Sequence, residues 1–152
     1  MSSATNRPQK LLNIGQMMLA GEIPPPPIAT LLGFRLTYTE PGQAVFEYEA
    51  TEGHANPMGT LHGGILCTIA DSAMGMAYAS LLEAGESFTT LEMKINFLKP
   101  VWQAKLRAIG RVIKNGRTIG LVGCDVLDEQ DALVAHATST CMTLRGEQAQ
   151  GR

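Results

Sequence analysis

Nowhere in this chain do about eighteen consecutive apolar residues occur, so no membrane-spanning helix is predicted. The polar stretch from Met1 to Lys10 does not open a signal-peptide pattern either. Cysteine is scarce. Cys67, Cys124 and Cys141 form no C-x-x-C pair, and their odd number argues against a disulfide framework and for a reducing cytoplasm. No G-x-S-x-G is present, which removes support for a serine nucleophile on an α/β-hydrolase turn. His54, His62 and His136 are not joined by cysteines or acids at ligand spacing, so no metal is expected. A net charge of −2 offers no general attraction to nucleic acid. Internal repeats are also missing, and 152 residues fit one domain.

One local absence is more informative. Between Met93 and Cys124 there is no Asp or Glu, while Lys94, Lys99, Lys105, Arg107, Arg111, Lys114 and Arg117 all fall there. Such a segment is either a set of solvated strand faces or a surface that receives a phosphorylated ligand.

What is present centres on Asn56-Pro57-Met58-Gly59-Thr60-Leu61-His62-Gly63-Gly64, a turn-rich stretch that feeds a long apolar segment. From His62 to Leu82 nearly every residue is apolar or small, which predicts a helix buried on most sides, and its one formal charge is Asp71. A carboxylate in such a helix is costly unless paired, hydrogen-bonded or functional. Gly63-Gly64 leaves the backbone N–H groups of the helix start uncovered, with the positive end of the dipole behind them. Together these features mark a candidate site.

The remaining elements give the architecture. A short amphipathic helix is predicted over Lys10 to Leu19, with disorder before it and a stiff connector at Pro24 to Pro27. Ile28 to Leu32 forms one further helical turn, closed by Gly33. Strands are predicted at Phe34 to Thr39 and Ala44 to Ala50, turning through Glu40-Pro41-Gly42-Gln43. After the long helix the period becomes two. Strands follow at Phe88 to Leu98, with Leu91, Met93, Ile95 and Phe97 on the buried face, and at Gln103 to Ile113. Asn115-Gly116 signals a hairpin into Arg117 to Leu127, and a last strand covers Ala132 to Leu144. This order is α+β, an antiparallel sheet curled around one long central helix, with open edges that favour a dimer. The domain boundaries are an arm at 1–27, the main domain at 28–145 and a loose tail at 146–152.

The ordered set Asn56-x-x-Gly59-x-Leu61-His62-Gly63-Gly64 with Asp71 resembles the hotdog-fold acyl-CoA thioesterases, in particular the phenylacetate-catabolism (PaaI-like) family. The run Leu91 to Pro100 and Gly116-Arg117-Thr118 support it. The resemblance implies a hotdog fold, hydrolysis of an acyl-CoA without a cofactor, and active sites at a subunit interface. It places the thioester oxygen on the Gly63 amide, makes Asp71 the catalytic carboxylate, lets Asn56 and His62 shape the site, and puts Thr90 where a hydroxyl helps hold the water.

The residues suit that chemistry on their own terms. Hydrolysis needs an activated water or a nucleophile, and a donor for the oxyanion. Asp71 supplies the first, as base or nucleophile; a free amide supplies the second. If Thr60 caps the N–H of Gly63, then Gly64 is the donor instead. Gly63 and Asp71 are eight residues apart, about 12 Å along a helix, so one carbonyl cannot reach both. The site must then be shared, within a homodimer or a homotetramer. Lys114 and Arg117 are the candidates for the CoA phosphates. Two other functions stay open: an acyl-thioester hydratase or dehydratase pairing His62 with Asp71, and a non-catalytic acyl-CoA-binding module.

Overall fold

A computed structural model describes residues 14–151. The disorder expected for the first residues, and the start of the helix expected from Lys10, lie outside that range. Within it, α1 covers 14–19 and α2 covers Pro27–Leu32, closed by Gly33 at φ 79°. Strands β1 (Arg35–Glu40) and β2 (Gln43–Ala50) precede the long helix α3 (Gly63–Ala79). Strands β3 (Ser87–Phe97), β4 (Ala104–Asn115), β5 (Ile119–Leu127) and β6 (Leu133–Leu144) follow it. All pairings are antiparallel, and the sheet order is β1-β2-β4-β5-β6-β3. The curled sheet wraps α3, as the residue pattern and the resemblance both lead one to expect.

Periodicity explains the packing. Along α3, Leu66, Ile69, Ala70, Ala73, Met74 and Ala77 point inward and are buried. Each large one contributes roughly 1.5–3 kcal/mol by leaving water. Opposite them, Leu106, Ala108, Val122, Cys124, Val126, Ala135 and Ala137 fill the concave face of the sheet. Gly110 lets the helix come close: a Cβ there would run into the carbonyl of Ala73. Tyr78, fully buried, shares a 2.7 Å hydrogen bond with Thr143 across the core.

Three features differ from expectation. The helix stops at Ala79, because the Ser80 hydroxyl donates to the Ala77 carbonyl at 2.7 Å and accepts from the N–H of Gly42 at 2.7 Å. Strand β3 is not cleanly half-buried. Its register shifts between Thr90 and Glu92, and Leu91 and Phe97 are 52% and 56% exposed, because β3 is the last strand of the sheet. Residues 146–149, expected to be loose, form a 3-10 turn that buries Ala149.

Candidate active site

The loop before α3 is held by one side chain. The carbonyl oxygen of Asn56 accepts from the N–H of Met58 (2.9 Å) and of Thr60 (3.2 Å), while its amide donates to the Thr60 hydroxyl (2.8 Å). Backbone bonds from Leu61 to the Val101 carbonyl (2.7 Å) and from His62 to the His54 carbonyl (3.0 Å) then fix where the helix begins. Buried Tyr48 locks the same region through its hydrogen bond with the His54 ring. Asn56 is thus a loop organiser with one amide hydrogen to spare.

These bonds distribute the amides of the helix start. The cap is His62, whose Nδ1 accepts from the N–H of Gly64 at 2.9 Å. Nδ1 must be unprotonated to do so, and a neutral ring then carries its proton on Nε2. Thr60 does not cap: its hydroxyl accepts from the Asn56 amide, and among the described residues no N–H of the helix start donates to it. Among the described residues the N–H of Gly63 has no acceptor, so Gly63 rather than Gly64 keeps an open donor at the positive end of α3.

Two turns further on, Asp71 lies on the outer face of the same helix. Its carboxylate accepts no hydrogen bond and makes no ion pair among the described residues. A structural hub would show such bonds. Surrounding protein desolvates it enough to raise its pKa above the usual carboxylate value.

Strand β3 runs alongside α3 in the opposite sense and supplies the second wall. The Phe88 ring abuts Gly75 and Tyr78, while the Phe97 ring lies against Gly63. Between them Thr90 pairs with Cys141 of β6. Burial pushes the Cys141 thiol up, hydrogen bonds from Ser139 and Thr90 pull it back, and the carboxylates of Asp71 and Glu92 add to the rise. The thiol of Cys67, one turn before Asp71, is raised by burial and then by the same carboxylate. The Asp71 carboxylate is thus within electrostatic reach of Cys67 and Cys141, and Thr90 stands opposite Cys141 in the sheet. Cys67 was legible from its i, i+4 spacing to Asp71. Cys141 was not, because only the β3–β6 register brings it there.

A single chain does not bring the candidate residues into one site. Asn56, His62, Gly63 and Gly64 gather at the start of α3; Asp71 and Thr90 stand about 12 Å along it. Lys114 ends its strand near the opposite pole, and Arg117 lines a cleft with Leu81, Leu82 and Arg145 beyond the end of α3. Of the other cations in the acid-free segment, Lys99 pairs with Asp128, Arg107 with Asp131 and Arg111 with Asp125.

Comparison with known proteins accords with this geometry. Residues 58–135 match the thioesterase superfamily. Human acyl-coenzyme A thioesterase 13 is 30% identical over 95 residues, covering 62% of this chain and 67% of that protein. The 1,4-dihydroxy-2-naphthoyl-CoA hydrolase of Listeria monocytogenes is 28% identical over 109 residues, covering 72% and 89%. Among solved structures, a phenylacetic acid degradation-related protein of Ralstonia eutropha superposes with a TM-score of 0.75 at 34% identity, covering 84% and 98%. The chain therefore belongs to the thioesterase superfamily, as a thioester hydrolase on the hotdog fold, akin to the PaaI-like enzymes.

Proposed function

We propose that this enzyme hydrolyses acyl-CoA thioesters with aryl or short to medium acyl groups, giving free acid and CoA without a cofactor, at sites shared by two copies of the chain. One observation carries the reading: the open Gly63 amide and the unpartnered Asp71 carboxylate stand on one helix, too far apart to serve one carbonyl. An antiparallel arrangement of two α3 helices about a twofold axis sets Gly63 of one copy beside Asp71 of the other, twice over. The open edge of β3, with Leu91 and Phe97 exposed, is the surface that pairing would cover. Further pairing into a homotetramer is compatible with this arrangement.

In that site the thioester oxygen accepts from Gly63, and Asp71 of the other copy takes a proton from water as the water attacks the carbonyl carbon. The oxyanion is held by the amide and the helix dipole. Collapse breaks the C–S bond, the proton goes from Asp71 to the departing thiolate, and acid and thiol result. Direct attack by Asp71 through a mixed anhydride, hydrolysed in a second step, uses the same atoms. Thr90, on the strand that runs alongside α3, holds the water, and Asn56 and His62 keep the amide in place. The capping role of His62 weighs against a hydratase, which needs that ring as a proton carrier. A non-catalytic binding module would have no use for the unpartnered carboxylate.

The test is thiol release from a panel of acyl-CoAs. Asp71→Asn should lower kcat by about a thousandfold while the fold is retained. Mixing Asp71→Asn chains with Gly63→Pro chains should restore, in purified hybrid dimers, one working site of two, about half the wild-type rate. Hybrids as inactive as either parent would refute the shared site.

A further inference from the structure

The ring of Phe97 occupies an unusual place for a strand residue at a sheet edge. A Cβ built on Gly63 would lie 2.8 Å from its Cζ and 3.1 and 3.3 Å from its two Cε atoms, so the tip of the ring stands directly on the Gly63 backbone. The ring is nevertheless 56% exposed. It therefore has a fixed floor and a flank that is open in the single chain and that, in the proposed dimer, borders the shared site beside Gly63. Beside it lies a cleft of about 400 Å³, lined by Asn56 and Gly63 together with the apolar side chains of Leu61, Leu66 and Leu98. Lys99, the one cation of that lining, is paired with Asp128, whose carboxyl the Lys99 hydrogen bond holds below the usual range. An open amide, one spare amide hydrogen, a threonine hydroxyl already bonded to Asn56, a neutralised lysine and otherwise apolar walls suit an uncharged acyl group joined to a polar thioester.

Resting on the thioesterase reading above, we propose that Phe97 is a specificity-determining residue, whose ring sets the length and width of the acyl group that can lie beside Gly63. Flat aryl and short acyl groups fit against the ring face; longer flexible chains meet the ring itself. Glycine at 63 then has two roles. It presents the amide, and it leaves room for the ring tip, which any side chain would displace. A merely structural Phe97 would affect all acyl groups alike. A selective one changes their ratio.

The experiment compares wild type with Phe97→Ala and Phe97→Tyr. Binding is followed with two non-hydrolysable CoA thioethers, one carrying a phenacyl and one a 2-oxododecyl group. Hydrolysis is followed with the corresponding aryl and twelve-carbon acyl-CoAs. Phe97→Ala is expected to shift the affinity ratio toward the long chain by at least tenfold, and the ratio of kcat/KM with it, whereas Phe97→Tyr keeps the wild-type ratio. An unchanged ratio in Phe97→Ala overturns the inference, even where every affinity falls together. Dissociation of the dimer with the ratio intact overturns it as well, by making the ring an interface residue alone. Binding with no hydrolysis of any thioester by wild type would count against the activity, while the thioether ratio still judges Phe97. If Phe97→Ala folds poorly, Gly63→Ala supplies a second approach. Its methyl must move the ring, so it should shift the same binding ratio, and combining it with Phe97→Leu should relieve part of the shift. No shift in Gly63→Ala would speak against the ring as a selector.

Discussion

At one end of the sheet β1 is six residues long, and at the other β3 runs for eleven. Both are edge strands and both carry an irregularity, between Leu36 and Tyr38 in the first and between Thr90 and Glu92 in the second. They are finished differently. The N-terminal segment reaches β1: Gln16 donates to the Thr39 carbonyl at 3.1 Å, and Gly15 fits beside the Thr39 methyl. Arg35 and Glu47 form an ion pair on the same flank. Among the described residues no such cover lies on β3, where Leu91 and Phe97 are open. A protein ordinarily blunts an exposed edge or pairs it. Here one edge is blunted within the chain, and on the proposed function the other is the edge a second copy would cover, alongside the helix face that carries Gly63 and Asp71.

The sharpest way to break that comparison is to place a lysine in each irregularity. Leu91→Lys should raise the dimer dissociation constant by about a hundredfold, since a twofold interface loses two apolar side chains and gains two like charges. Activity should fall in parallel at dilute protein and recover on concentration. Thr37→Lys, on the covered edge, should leave association and rate near wild type. Sedimentation and thiol release at matched concentrations measure both. Equal behaviour of the two variants would mean that the edges are equivalent and that the site is not shared through β3.

A smaller effect separates the two faces of α3 by pH. Burial raises the pKa of Asp71, so the folded chain keeps this proton to a higher pH than the unfolded chain does. Below the unfolded value both states are protonated and Asp71 costs nothing. As pH rises through the raised folded value, stability is lost relative to Asp71→Asn, while the base needed for hydrolysis appears. Activity and stability thus move in opposite directions across one window. kcat/KM should fall about tenfold per pH unit on the acid side of the raised value. Because separated chains lack a complete site, the second copy's share is read from the Asp71 carboxyl itself: in Leu91→Lys at dilute protein its titration, followed by carboxyl NMR, should move to lower pH as the dimer parts. A titration that stays put would show that the second copy does not add to the desolvation.

How much of this was legible in the residues differs between the fold and the site. The 3.6-residue and 2-residue periods, the Pro41-Gly42 turn and the closing Gly33 are local signals, and the elements lie within a few residues of where those signals put them. The sequence of elements led to the sheet wrapped on one helix. What was not legible depends on long-range placement. Alternation in β3 puts Leu91 and Phe97 on the buried face, but a period of two says nothing about which strand ends the sheet. Thr60 is a better cap by residue type than His62, yet the competing bond from Asn56 removes it. That competition decides which glycine keeps its amide, and no propensity contains it.

The smallest predicted effect concerns Lys114 and Arg117, which extend the comparison from edge to pole. In one chain they sit near the end of α3 away from Gly63, and at 17 residues α3 is about 25 Å long. The proposed antiparallel pairing changes the count. With Gly63 of the second copy level with Asp71, only eight residues of α3, about 12 Å, separate that thioester position from Ala79. An extended pantetheine arm would then carry the phosphates toward the β4–β5 turn of the copy that supplies Asp71. Exposed cation–phosphate pairs are weak, each worth about 0.5–1 kcal/mol. Replacing both residues by Gln should therefore raise KM for a CoA ester by about fivefold, with kcat unchanged and the difference fading at high salt. The same acyl group on pantetheine, which lacks the nucleotide phosphates, should show little change. Equal effects on the two esters would remove this turn from the CoA path and leave the acid-free segment as solvated strand surface.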